Sequence, residues 1–274
     1  MKKLFAMISC AVLISTMLSA GCAFAAGEFS IDGSTTVLPF AQSSAEAFMK
    51  LYPDVRISVS GSGSGNGAKA LIDGTIEVAA MSRAMKDSEL SGAKAKGVDP
   101  VRHTVAFDCI VPIVHPGNPV TNLTTDQLKD IYAGKITNWK EVGGPDKRIA
   151  VVGRDTSSGT YEVWNEKIMA GEKVTPRTLI VASSGALVQT VAENPAAIGY
   201  EGLGYVDSKR VKGLEVNGVA GNPETARSNT IVTSRKLLMY TNGEPDGAVK
   251  QYLDFLMSDD GQKYVAREGF VTLK

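Results

Sequence analysis

The stretch Arg154-Asp155-Thr156-Ser157-Ser158-Gly159-Thr160 puts one permanent positive charge a few residues ahead of hydroxyls and a glycine. It follows a short apolar run, Ile149 to Val152, and the pattern beyond it predicts a helix from Tyr161 to Met169. The first N–H groups of a helix have no partner within it, and they point out of its partially positive end. Small residues at that end let an anion approach the backbone, and the hydroxyls of Ser158 and Thr160 can donate as well. A guanidinium offers a planar fork that matches two oxygens of a tetrahedral oxyanion. The chemistry this stretch can do is therefore anion capture. Taken alone it also fits a plain helix cap at Ser158, with Arg154 paired to Asp155 on the surface.

Two further junctions of the same kind stand in the first third of the chain. Phe29-Ser30-Ile31 reads as a strand, Ser34-Thr35-Thr36 supplies hydroxyls, and a helix is expected from Val37 to Leu51. Val55 to Ser60 reads as a strand, Gly61 to Gly67 alternates glycine with serine and asparagine, and a short helix is expected over Ala68 to Ile72. Between a strand and a helix such a run suits backbone approach to a ligand, with Ser64 as its hydroxyl. No Gly-Lys-Ser/Thr follows the glycines, which excludes a Walker A loop. A relaxed G-x-G-x-x-A at Gly63, Gly65 and Ala68 is not followed by the acidic residue a dinucleotide site needs, and Arg83 stands in that neighbourhood. Ser82-Arg83 ends the next strand, and Arg83 is a candidate second cation. Asp108 lies in an apolar strand, His103 to Val114, where a carboxylate is costly unless it is hydrogen-bonded or has a task.

The elements that must position these residues alternate between strands and helices. A helix is expected from Thr124 to Gly134, a strand over Leu179 to Ala182, a helix from Ser184 to Asn194 and a strand over Ala197 to Tyr200. Val206 to Thr230 reads as loop with a hairpin. Leu237 to Thr241 is a strand returning to the first half, and helices over Ala248 to Met257 and Gly261 to Glu268 close the chain. Such alternation implies an α/β fold with mostly parallel sheets covered by helices, and ligands beyond the carboxyl ends of strands. Trp139 and Trp164 are expected in the core.

The balance of 29 basic and 29 acidic residues argues against a nucleic-acid surface. Met1-Lys2-Lys3 followed by an apolar stretch from Leu4 to Leu18 reads as a secretory signal, so the mature protein is expected outside the cytoplasm. Cleavage after Ala25 and lipidation at Cys22 within Leu18-Ser19-Ala20-Gly21-Cys22 both fit. With Cys10 inside the signal and Cys22 near its cut, Cys109 has no intrachain partner for a disulfide if Cys22 is lost.

With these residues in view, the chain resembles the phosphate-binding proteins of bacterial high-affinity phosphate ABC importers. The likeness spans essentially the whole mature chain. It rests on I-D-G-S-T-T-V-L-P at 31–39, the glycine run, F-D-C-I-V-P-I-V-H-P-G-N-P-V at 107–120, the motif at 123–144 ending N-W-K-E-V-G-G, R-D-T-S-S-G-T at 154–160 and A-A-I-G-Y at 196–200. The resemblance implies a two-lobed periplasmic-binding-protein fold (type II) that closes on phosphate in the interdomain cleft, with no catalytic residues, cofactor or metal. It implies a signal peptide over 1–25, a first lobe from 26–108 plus 235–274, and a second lobe over 109–234. By the same resemblance the phosphate ligands are Ser34, Thr35, Thr36, Ser64, Arg154, Ser158, Gly159 and Thr160. Ser82 stands where the family commonly has an aspartate, and Ile231-Val232 where it usually has Tyr-Pro. Asp108 is our candidate for the missing proton acceptor. The expected partners are inorganic phosphate and the membrane permease subunits of the importer, with the binding protein a monomer. Another oxyanion (sulfate, molybdate, tungstate) or an anion-sensing receptor are the alternatives. A hydrolase with Ser158 as nucleophile would need a base, and the sequence offers only His103 and His115.

Overall fold

The computed structural model describes residues 27–274; the expected signal peptide, its cleavage site and Cys22 lie outside the described residues. The chain opens with β1 (Gly27–Gly33), α1 (Leu38–Leu51), β2 (Val55–Val59), α2 (Ser64–Ile72), β3 (Val78–Met81) and α3 (Asp87–Ala95). Then β4 (Pro100–Val114) runs for 15 residues, followed by β5 (Asn122–Leu123), α4 (Thr125–Ala133), β6 (Ala150–Arg154) and α5 (Gly159–Trp164). Next come β7 (Leu179–Val181), α6 (Ser184–Glu193), β8 (Ala197–Gly202), β9 (Lys212–Gly213), β10 (Glu215–Val216) and α7 (Pro223–Arg227). The chain closes with β11 (Ser234–Asn242), α8 (Gly247–Met257) and α9 (Asp259–Arg267). Among the described residues no helix is long and apolar enough to cross a membrane.

The strands follow one another in the order β2-β1-β3-β11-β4-β8-β6-β7, with β9 added to β4. The two ends are parallel, as alternation of strands and helices requires, with β1 beside β2 and β3, and β6 beside β7 and β8. The middle is antiparallel. The first part of β4, Pro100 to Cys109, pairs with β11, and from Ile110 it pairs with β8. Apolar side chains gather on either side of that changeover. One cluster draws on residues between Phe29 and Ala106 and between Leu237 and Phe270, another on residues between Cys109 and Ile231 with Val271, and a smaller third one gathers Leu71, Met81, Met85, Leu238 and Tyr240. The second contains both tryptophans, and Trp164 stacks on Tyr200 with ring centroids 4.4 Å apart. Packing of this kind holds the fold, and among the described residues the one cysteine, Cys109, is buried and free.

Two local readings change. The helix α2 starts at Ser64, so Gly65 and Gly67 lie inside it instead of ahead of it. Glycine is poor in a helix, but here close packing decides: a Cβ on Gly67 would come within 2.7 Å of Asp32 O and Gly33 Cα. The segment 206–230 is more ordered than loop, holding β9, β10 and α7, the last capped by Asn222. Its hairpin is the tight turn at Asn217-Gly218, both at positive φ, closed by reciprocal hydrogen bonds between Val216 and Val219.

Candidate functional site

Three strand–helix junctions meet where β4 and β11 join the two ends of the sheet. At the first, β1 ends at Gly33 (φ 135°), where any Cβ would run into Ala80 O, and Ser34 N donates to that same oxygen at 2.7 Å. Ser34 Oγ turns back to accept from Thr36 N at 3.2 Å, leaving the hydroxyls of Thr35 and Thr36 facing away from the loop's own backbone. At the second, Gly63 (φ 106°) donates to Gly33 O at 2.6 Å and launches α2 with Ser64 as its first residue. At the third, Asp155 accepts from Ser157 N at 2.8 Å, tightening the turn from β6 into α5. Ser158 is the N-cap of α5 and accepts from Tyr161 N at 3.2 Å. That bond uses a lone pair, so the Ser158 proton remains free to donate.

The junctions close on one another. Thr36 Oγ1 and Thr160 Oγ1 lie 2.9 Å apart in a hydrogen bond. Gly65 N donates to Ser157 O at 2.9 Å. Ser64 Oγ accepts from Ser82 N at 3.1 Å and lies 3.3 Å from Ser82 Oγ. Gly159 packs directly on this serine pair, for a Cβ there would stand 2.7 Å from Ser82 Oγ and 3.0 Å from Ser64 Cβ. Arg154, 2 % exposed, donates through Nη2 to Thr35 Oγ1 (3.0 Å) and Ala182 O (3.1 Å), and through Nη1 to Ser184 Oγ (3.0 Å). Ser34, Thr35, Thr36, Ser64, Ser82, Asp108, Arg154, Ser158 and Thr160 are all buried.

Each guanidinium at this place has its own carboxylate. Arg154 Nη1 is 3.0 Å from Glu201 Oε1, and neither side chain is open to solvent. Arg235 donates through Nε to Asp108 Oδ2 at 2.8 Å, while Asp108 Oδ1 accepts from Leu203 N at 2.8 Å. Burial pushes both Asp108 and Glu201 above the usual carboxylate range, against the pull of the arginine beside each. Gly202 leaves room for this arrangement: a Cβ would come within 2.7 Å of Asp108 Oδ2, 3.0 Å of Thr36 Cγ2 and 3.1 Å of Arg235 Nη2.

Sequence reasoning missed Ser184, Glu201 and Arg235. Glu201 had a signal, since an acid inside the apolar run of β8 is as costly as Asp108 inside β4. Arg83, the candidate second cation, is instead held by Glu89 at 2.7 Å and Glu162 at 2.6 Å. His103 Nε2 is 3.0 Å from Thr241 Oγ1 and His115 Nδ1 accepts from Gly117 N at 3.0 Å, so neither histidine attends Ser158.

Comparison with known proteins agrees over nearly the whole chain. Residues 19–260 match the family model for a PBP superfamily domain. The phosphate-binding protein PstS of Borreliella burgdorferi is 33 % identical over 288 residues, covering 100 % of each chain. Its counterpart in Bacillus subtilis is 32 % identical over 251 residues, 90 % of this chain and 81 % of that one. Among solved structures, a phosphate ABC transporter substrate-binding protein from Clostridium perfringens, with bound phosphate, superposes with a TM-score of 0.84. It shares 38 % identity and covers 90 % of this chain and 100 % of its own. An ABC-type phosphate transport receptor from Vibrio cholerae gives 0.73 at 33 % identity, covering 89 % and 99 %.

Proposed function

This chain belongs to the PBP superfamily, in its family of PstS phosphate-binding proteins, and from that premise we propose that it binds inorganic phosphate between two lobes and delivers it to an ABC importer. The observation that carries the reading is the meeting of three distant stretches as buried donors, Thr35-Thr36, Ser64, and Arg154 with Ser158 and Thr160. The lobes are 26–108 with 235–274, and 109–234. The separate apolar clusters on the two sides of the β4 changeover support that division.

The mechanism is binding without chemistry. Hydroxyls of Ser34 to Thr36, Ser64, Ser82, Ser158 and Thr160, with the N–H groups opening α2 and α5, replace water around the anion, and Arg154 supplies charge. The closed form alone brings both sets of donors together, so the anion stabilises it by its differential affinity. Asp108 accepts the proton that phosphate carries and sulfate lacks, beside the bonds it already takes from the Leu203 and Cys109 backbone and from Arg235. The protein acts as a monomer in the cell envelope and presents the closed shape to the importer's membrane subunits. A hydrolase reading is not favoured, because Ser158 Oγ accepts from Tyr161 N as a helix cap and His103 and His115 bond to Thr241 and Gly117.

Isothermal titration of phosphate into Arg154→Ala tests the site. A charge-assisted hydrogen bond contributes about 1.5–3 kcal/mol, so the variant should bind at least roughly tenfold more weakly. Unaltered affinity would refute the assignment.

A further inference from the structure

We infer that Arg235 is a second anion-binding guanidinium, donating directly to the bound phosphate with Asp108 as its counter-ion. The inference rests on the phosphate reading of this site and adds a residue to it.

Strand register brings the pair together. On the antiparallel ladder between β11 and β4, Arg235 lies opposite Asp108, and three residues further along Leu238 lies opposite Met81 at the end of β3. Arg235 is thus delivered to the end of β3 and the middle of β4 at once, beside Ser82 and Asp108. It is 8 % exposed. Pairing with the carboxylate occupies Nε, at 2.8 Å from Asp108 Oδ2, and brings Nη2 to 2.7 Å from the same oxygen.

The other end of the guanidinium does something an ion pair does not need. Nη1 donates to Thr160 Oγ1 at 2.9 Å, and that hydroxyl is also the one hydrogen-bonded to Thr36. Arg154 does the same on the opposite side through Thr35. Two guanidiniums, from β6 and from β11, therefore approach the Thr35-Thr36 pair, Arg154 directly at Thr35 and Arg235 by way of Thr160. Both also hold donor capacity in reserve. Arg154 Nε has no acceptor, and Nη2 of Arg235 lies near Asp108 without an N–H directed at it, although both atoms are buried. Buried donors left unmade are costly, and an arriving oxyanion is the acceptor that would satisfy them. Gly202 keeps the edge of Arg235 bare of side chain.

Charge points the same way. Arg154 with Glu201 and Arg235 with Asp108 are each neutral as pairs. A multiply charged anion entering a dry, neutral place needs strong donors directed at it, and guanidiniums backed by carboxylates supply them without leaving a bare charge when the site is unliganded.

The test uses the full mature protein and inorganic phosphate in isothermal titration, with a thermal melt for every variant. Arg235→Gln should weaken phosphate binding at least tenfold, and Arg235→Lys should recover part of the loss. The double variant Asp108→Asn with Arg235→Gln removes both charges of the pair and should stay weak. Affinity for Arg235→Gln within twofold of wild type, or recovery of wild-type affinity in the double variant, would reduce Arg235 to a structural partner of Asp108 and overturn the inference. A crystal structure of the unaltered protein with phosphate decides the point without mutation. Arg235 nitrogen should lie within about 3.2 Å of a phosphate oxygen, and an Arg235 bonded only to Asp108 and Thr160 refutes it. Failure of the wild-type protein to bind phosphate would instead sink the underlying reading.

Discussion

Replacing Gly159 by alanine should separate binding from folding. Gly159 is the first residue of α5 and its φ is not among the positive ones, so alanine fits the backbone, and helix propensity favours it by about 0.5–1 kcal/mol. The obstacle is across the site. The added methyl would lie 2.7 Å from Ser82 Oγ, 3.0 Å from Ser64 Cβ and closer still to Ser64 Oγ. Neither serine can swing clear cheaply, because both are buried and Ser64 Oγ accepts from Ser82 N. Overpacking of this kind costs about 1–3 kcal/mol. If the contact forms only when the lobes close, the whole cost falls on ligand binding, which at about 1.4 kcal/mol per decade is roughly a fivefold to 150-fold loss of affinity. Isothermal titration gives the affinity, and melts with and without phosphate give the stability of each form. The phosphate-free melt should hold while the phosphate-induced rise shrinks. Affinity within twofold of wild type refutes the reasoning, and a lowered phosphate-free melt with unchanged affinity would place the contact in the fold instead of in closure.

Asp108→Asn should loosen phosphate and let sulfate compete, measured by titrating one anion in the presence of the other; unchanged discrimination removes Asp108 from selectivity. Trp164→Ala takes away a ring stacked on Tyr200 in the second cluster and should cost about 3–5 kcal/mol, a drop in Tm of roughly 6–20 °C by calorimetry. Burial pushes the Cys109 thiol up to about 12, so in a chain beginning at Ala26 it should resist a thiol-specific disulfide reagent at pH 8 and react only after unfolding in guanidinium.

The parts of the site that lie along one stretch of chain were readable without coordinates. Ser34 to Thr36 and Arg154 to Thr160 each sit between a strand and a helix, and those local signals survive folding because the junction itself makes the donors available. Asp108 was readable for a different reason, the cost of an acid among apolar neighbours. Arg235 was not, because its meaning comes from a partner 127 residues away across an antiparallel ladder, and no local pattern reports that register. Glu201 would have yielded to the argument applied to Asp108 had the strand been carried past Tyr200 to Gly202. The start of α2 was misplaced because glycine content speaks for loop, whereas the close passage of Gly67 over β1 outweighs that preference.

The position of β11 also bears on how a ribosome can deliver this protein. The strand lies between β3 and β4 although it is made more than a hundred residues after either. A nascent chain therefore carries an open edge on β3 until residue 242 has emerged, while the segment from β5 to β8 is already complete enough to collapse. The first half of the molecule is the last to finish.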